Sequence, residues 1–373
     1  MNILAIDPGS TSTKIGVYRG GAVSKVCLEH PRREIEQFPA IIDQLGFRLE
    51  CIERHLLASG LGTAEFAAVV GRGGLLRPVE GGIYLVNEPL LRDLRLGVSG
   101  EHAANLGGLL ADRLARRCGA PAYIVDPPVI DELWPVARLS GLARVERKSM
   151  FHALNQRAAA HRAALRIGRE YAALNLIVLH MGGGITVGAH RLGRVVDVNN
   201  GLNGDGPFAP ERTGGLPVIG VLQLLEEGFC SMEELKAIVA RKGGIYSYLG
   251  TVDVREVEEM CTRGDAQARL VLDAMVYQVA KEAGGLAAAL DGRVDGIVLT
   301  GGLAFSAGIV EALRGKLEWI APLLVEPGEY EIEALIDGAL RVLTGREEAK
   351  VYEAEDAAGE TANSPSPPGK GPG

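Results

Sequence analysis

Short apolar runs bounded by glycine alternate along the chain with longer stretches whose apolar residues recur every three to four positions. That alternation predicts strands interleaved with helices, a mixed α/β protein. Strands are expected at residues 2–7, 13–18, 66–71, 122–126, 174–181 and 294–300, and helices at 34–59, 101–118, 150–173, 218–227, 232–241, 266–289, 306–320 and 331–343. From about Ala354 onward Ala, Gly, Glu, Ser and Pro dominate without an apolar period, so residues 354–373 are expected to form a disordered tail.

The strand pattern repeats. Asn2-Ile-Leu-Ala-Ile-Asp-Pro-Gly-Ser returns as Asn175-Leu-Ile-Val-Leu-His-Met-Gly-Gly, an offset of 173 that lays His180 over Asp7 and Gly182 over Gly9. After each loop, Lys14-Ile-Gly-Val-Tyr-Arg-Gly-Gly-Ala-Val and Thr186-Val-Gly-Ala-His-Arg-Leu-Gly-Arg-Val both read as strand, glycine turn, strand. An internal duplication is the reading, with one unit over residues 1–160 and a second over 161–353. Chance likeness of two strand-turn-strand segments is the bland alternative.

Composition narrows the classes. A length of 373 residues exceeds what one core usually supports, and 47% hydrophobic with 23% charged residues is the balance of an ordinary soluble protein. A net charge of −8 argues against a broad nucleic-acid surface, which needs clustered Lys and Arg. No apolar run is long enough to span a bilayer, and the chain enters a strand pattern at once, so no membrane partner is expected. Cys27, Cys51, Cys118, Cys230 and Cys261 are scattered without a CxxC, which reads as buried thiols in a reducing cytoplasm rather than a zinc site or disulfide framework.

The candidate chemistry sits in the loops. Asp7-Pro-Gly-Ser-Thr-Ser-Thr-Lys14 offers a strand-end carboxylate, hydroxyls and a cation that together suit phosphate oxygens, although it lacks Walker spacing. A tight hairpin whose Ser and Thr satisfy only their own backbone would look the same. His180-Met-Gly-Gly-Gly184 places three glycines after a buried-type strand, which is costly unless the backbone must approach something closely. His180 is placed there to donate to a transferring oxygen, against the commoner structural role of a lone histidine. Thr300-Gly-Gly302 ends a third such strand ahead of a helix N-terminus. Residues 199–215 form a Gly/Asn/Pro-rich loop with Arg212 as its one cation, suited to spread charge in phosphoryl transfer. Arg72 and Asp126 also fall at strand ends, where an anion or magnesium is one role and loop capping the other.

Three of these motifs, DPGSTSTK, HMGGGITVGA and VNNGLNGDGPFAPERTGGLP, resemble in one order those of the acetate and butyrate kinase family of the acetokinase, hexokinase, Hsp70 and actin superfamily. The resemblance covers about residues 1–353 and is strongest to butyrate and branched-chain fatty-acid kinases. It implies two duplicated actin-like (ribonuclease H-like) domains around a nucleotide cleft, ATP and Mg2+ as cofactors, a short-chain fatty acid or acyl phosphate as partner, and a homodimer or higher assembly. By position it implies Ser10, Ser12 and Lys14 in the first phosphate loop and Gly182, Gly183 and Gly184 in the second. Arg72, His102, Asp126, His180 and Arg212 take catalytic places, Asp253, Arg255, Gly301 and Gly302 the adenosine side, and Asp7, Asp126 and Glu331, with Glu333 as the alternative to Glu331, the metal. Most of the family carries Asn where this chain has Asp7, so a role for Asp7 through the metal is expected. Acetate-specific relatives carry valine where this chain has Gly74, so a pocket for a butyrate-sized or branched acid is expected there.

The implied reaction is in-line attack of an ionised carboxylate on the γ-phosphate of ATP, giving acyl phosphate and ADP. An acetate or propionate kinase differs only in substrate. An actin- or Hsp70-like ATPase without acyl transfer, and an inactive sensor, are readings of other classes.

Overall fold

The computed structural model describes residues 1–62 and 66–353; the expected tail, 354–373, lies outside the described residues. Strands β1 Asn2–Pro8, β2 Ser12–Arg19, β3 Ala22–Glu29, β4 Ala68–Arg72, β5 Ile83–Leu85 and β6 Ala122–Val125 form one sheet together with β12 Lys350–Val351, in the order β12-β5-β6-β4-β1-β2-β3. Strands β7 Asn175–Met181, β8 Ile185–Arg191, β9 Arg194–Val198, β10 Gly296–Gly301 and β11 Leu323–Pro327 form the other, in the order β11-β10-β7-β8-β9.

The sequence repeat appears as a shared topology. In each sheet an antiparallel meander, β1-β2-β3 or β7-β8-β9, is extended by parallel strands beside its first member. Pro8 pairs with Thr13 around residues 9–12, whereas Met181 pairs with Ile185 around residues 182–184, so the second loop is one residue tighter.

Both faces of β1 are covered, which explains its unbroken apolar run. Leu4 and Ile6 face the cluster built on helices Leu45–Ala58 and Asn105–Cys118, while Ile3 and Ala5 face Ile332, Leu335, Ile336 and Ala339 of helix Glu331–Leu343. Those four positions have the i, i+3, i+4, i+7 spacing of one helical face. Each fully buried Leu or Ile contributes about 1.5–3 kcal/mol relative to exposure. A Cβ on Gly16 would overlap Ile332, so this glycine lets the helix close onto β2.

Several expectations shift at element ends. Residues 34–59 are not one helix: Pro39 interrupts them between Arg32–Ile35 and the turn Ile41–Gln44 that leads into Leu45–Ala58. The expected helix 150–173 is Ala153–Ile167, stopped by Gly168 at φ +77°. The chain end does not stay with the second sheet as a 161–353 unit implies: Glu331–Leu343 packs on β1, β2, β4 and β6, and β12 pairs with β5. Helix Ala153–Ile167 lies between that helix and β7, β10 and β11. Cys27 is exposed and the other four cysteines half-buried, so none is a core thiol. No helix among the described residues is long and apolar enough to cross a membrane.

Candidate active site

Asp7 arrives at the end of β1, Arg72 at the end of β4, and Glu331 at the first position of its helix, where a carboxylate favours the helix dipole. Arg72 Nη1 donates to Asp7 Oδ1 at 3.1 Å and to Glu331 Oε1 at 2.7 Å, and Lys14 Nζ donates to Glu331 Oε2 at 3.0 Å. Glycine-on-glycine contact fixes Arg72: a Cβ on Gly71 would overlap the Gly107 carbonyl, and one on Gly107 would overlap that of Arg72. Burial lifts the Asp7 carboxyl to about 7 against the pull of Arg72, with Glu331 pushing the same way as burial. Burial also works to raise Glu331, but Arg72, the hydrogen bond from Asp7 and Lys14 hold it down at about 2. The two carboxyls therefore titrate as a coupled pair, with burial drawing Asp7 up while Arg72 and Lys14 hold Glu331 down.

The first loop has a brace that the sequence reading missed. Arg48, fully buried on helix Leu45–Ala58, donates to the carbonyls of Gly9, Ser10 and Ser12 at 2.9, 3.1 and 2.9 Å and to the Thr13 hydroxyl at 3.1 Å. Gln44 takes its other donors, and burial draws its pKa down to about 10. An arginine on an amphipathic helix ordinarily reads as solvent-facing, so nothing local marks it. Ser10 is exposed and Ser12 half-buried, both over this brace.

In the second loop the glycines serve space rather than backbone freedom, since none of Gly182, Gly183 and Gly184 has positive φ. A Cβ on Gly184 would overlap the Arg212 guanidinium, and one on Gly183 would stand 3.1 Å from Glu211 Oε1. The three-glycine run thus makes room for Arg212 and Glu211. Arg212 Nη1 donates to the Gly201 carbonyl at 2.8 Å, while its buried Nε has no partner in the described residues.

His180 sits at the end of β7 with Nδ1 2.7 Å from Asn155 Oδ1. Asn155 Nδ2 donates to the Gly328 carbonyl at 3.2 Å, which fixes the amide, so Oδ1 accepts and His180 Nδ1 carries the proton. Burial pushes His180 down to about 3; Glu331 opposes, Arg212 and Arg72 reinforce. Neutral His180 thus presents a bare Nε2, an acceptor, and not the donor expected of it; a phosphate could be donated to only after this ring gains a proton. Glu331, Arg212 and Arg72 all lie near enough to bear on the charge of this one ring. His152 was not singled out in the sequence, yet its ring stacks on His180 with centroids 3.8 Å apart and planes 12° apart. His152, Asn155 and Gln156, polar residues on one face of an otherwise alanine-rich helix, were the available signal.

The remaining candidates divide. His102 Nδ1 accepts from the Ala104 N–H at 3.1 Å, leaving Nε2–H as a donor, and burial with Arg72 nearby lowers its pKa. Asp126 is turned elsewhere than expected: Arg157 Nε lies 2.7 Å from its Oδ1, the Gly82 N–H donates to the same oxygen at 2.8 Å, and burial raises its pKa. Asp126 is thus engaged by Arg157 and Gly82, whereas Asp7 and Glu331 meet on Arg72. The space beside Gly74 is filled, since a Cβ there would stand 2.5 Å from Asn105 Cα and 2.7 Å from Leu94 Cδ2. The missing side chain at Gly74 therefore makes room for Asn105 and Leu94. Asp253 caps helix Val254–Thr262 and Arg255 folds back onto it at 2.6 Å, both side chains at the surface, so the pair satisfies itself. Gly301, at φ +85°, allows β10 to abut the Met181 carbonyl, and Gly302 faces open space.

The mixed α/β fold of two sheets is shared with solved acetate and propionate kinases. Residues 141–321 match the model of the Acetokinase family. The chain superposes on acetate kinase from Porphyromonas gingivalis with a TM-score of 0.75 at 19% identity, covering 91% of this chain and 99% of that one. A propionate kinase from Francisella tularensis subsp. tularensis gives 0.69 at 17% identity over 90% and 98%, and acetate kinase from Entamoeba histolytica gives 0.69 at 17% over 91% and 99%.

Proposed function

We propose that this chain is an ATP-dependent kinase of a short-chain carboxylic acid, working in a cleft between a unit holding the first sheet with residues 331–353 and a unit holding the second. The observation that carries the reading is that Arg72, at the end of β4, is held by Asp7 and Glu331 while Arg212 packs against Gly184 in the loop that follows His180. Two arginines converging from opposite sides suit a phosphoryl group passing between two substrates.

An acid's carboxylate is already ionised at neutral pH, so no general base is required. Its oxygen attacks the γ-phosphorus, the bond to the β-bridging oxygen breaks, and ADP leaves as the acyl phosphate forms. Arg72 and Arg212 hold charge on the transferring group, His102 offers Nε2–H beside Arg72, and Lys14 with the Arg48-braced loop adds donors. Asp7 and Glu331 would hold Mg2+, a fit supported by the two carboxylates converging on Arg72 and by the habit of magnesium of using one or two carboxylates plus phosphates. When bound it would offset phosphate charge. Asp7→Asn is expected to change the magnesium requirement; an unaltered requirement removes Asp7 from that role.

The acid is proposed to be butyrate or a branched four- to five-carbon acid, supported by the three motifs and not by Gly74. A pocket of about 210 Å³ lined by Glu258, Arg269, Val276 and Gly308, beside the start of helix Ala307–Leu317, suits the nucleoside better than Asp253 and Arg255 do. Incubation with ATP, Mg2+, hydroxylamine and straight or branched acids of two to six carbons should give acyl hydroxamate, with the largest yield from the four- and five-carbon acids. ATP hydrolysis without hydroxamate from any acid would instead support an ATPase.

A further inference from the structure

A line of buried polar side chains leads from behind the second sheet into the cleft. Thr186, Gly188 and His190 alternate onto one face of β8, and His152 and Gln156 share one face of the helix packed beside it. Tyr171, His190, Gln156 and Thr186 are all at most 5% exposed, so each polar group must be paired.

The direction of every bond follows from one anchor. Gln156 Nε2 lies 3.0 Å from the Thr186 carbonyl, which only accepts, so the amide nitrogen faces Thr186 and Oε1 faces away. Oε1 is 3.0 Å from His190 Nε2, which must then be the donor. Burial keeps His190 neutral, so its Nδ1 is bare and accepts the Tyr171 hydroxyl at 2.8 Å. Gln156 Nε2 also donates to Thr186 Oγ1 at 2.8 Å, and the acceptor that remains for the Thr186 proton is His152 Nδ1 at 3.0 Å. His152 Nε2 has no partner among the described residues. A Cβ on Gly188 would stand 2.5 Å from Gln156 Oε1, so the strand lacks a side chain where the line crosses it.

We propose that Tyr171, His190, Gln156 and Thr186 form a one-way hydrogen-bond relay that holds His152 with its proton on Nε2, as a fixed neutral donor in the cleft stacked on His180. The stacked rings then carry opposite tautomers, His152 offering a proton and His180 a lone pair. Positioning by the relay stands on the hydrogen-bond geometry together with the burial of His190; its catalytic consequence rests on the phosphoryl-transfer reading above. A donor set before the reaction need not reorganise as charge builds on the transferring oxygens.

The test is a long-range nitrogen–proton correlation spectrum of the full chain labelled on histidine nitrogens, at pH 7.5, with the His152 signals assigned by their loss in His152→Gln. The proposal expects His152 and His190 protonated on Nε2 and His180 on Nδ1; a proton on Nδ1 of His152 overturns it with no variant needed. Thr186→Val should release His152 into a tautomer mixture and lower kcat about ten- to a hundredfold with KM for acid and ATP little changed, and Thr186→Ser should restore both. An unchanged His152 tautomer in Thr186→Val also overturns the relay. If the wild type makes no acyl hydroxamate, the kinase reading fails while the tautomers are still decided by the spectrum.

Discussion

Gly184 and Arg212 occupy what would be the same space if residue 184 had a side chain, for a Cβ there would overlap the guanidinium. Gly184→Ala should therefore act by displacing Arg212. An arginine that stabilises transferring phosphoryl charge is worth about three to five decades in rate, so Arg212→Ala should be nearly inactive and Gly184→Ala should lose most of the same factor. Kinetics of the double variant check the mechanism: it should be no slower than Arg212→Ala alone. Multiplying losses would mean that Gly184 and Arg212 act separately.

Gly74 gives a prediction that runs against the sequence expectation. A valine there would press on Asn105, whose Oδ1 accepts from the Leu75 N–H at 2.8 Å and whose backbone opens the helix that carries Gly107 to Arg72. Overpacking of this kind costs about 1–3 kcal/mol, so Gly74→Val should lower Tm and slow every acid alike. A shift of preference toward acetate at unchanged stability would restore a pocket at this position.

What the sequence made legible follows from how local each cause is. The repeat and strands β1, β2 and β7 were readable because an apolar run ending in glycine is a local pattern. Asp7, Arg72, His180 and Arg212 were readable as loop and strand-end chemistry, and Glu331 only through the family resemblance. Arg48, His152 and the Asp126–Arg157 pair were not, since each is decided by a partner distant in sequence. Short β5 and β12 were missed for the same reason: Lys350–Val351 is a strand only because Tyr84 and Leu85 offer an edge. Glycines misled most, because a glycine reads alike whether it admits a ligand, as was expected at Gly74, or a neighbouring side chain, as Gly184 admits Arg212.

Arg48 should behave as a support of the first loop. Three carbonyls and a hydroxyl depend on it, and hydrogen bonds from a charged donor are worth about 1.5–3 kcal/mol each when a partner is lost. Arg48→Met keeps much of the volume and removes the donors. It should destabilise the fold by several such bonds' worth and raise KM for ATP more than it lowers kcat at saturation. Denaturant melts with paired ATP titrations check this; a stable variant with normal KM would show that the loop holds its shape unaided.

Stability should fall on the acid side earlier than carboxylates alone would cause. His161, His180 and His190 are each pushed from an ordinary 6.5 to about 3, chiefly by burial, with Arg341 and Arg157 adding to the effect at His161. Below pH 6.5 the unfolded chain takes up protons that these folded rings refuse until about pH 3, so the unfolded state gains and stability drops through that window. Each ring contributes a slope of up to about 1.4 kcal/mol per pH unit. His161 stands outside the relay and the cleft, packed on Tyr171 with centroids 4.6 Å apart, which makes His161→Gln the variant to compare. Urea unfolding at pH 7, 6 and 5 should show the same ranking at each pH but a shallower decline for the variant, by about one proton's worth. Parallel declines would mean that His161 takes up its proton in the folded state near the ordinary pH.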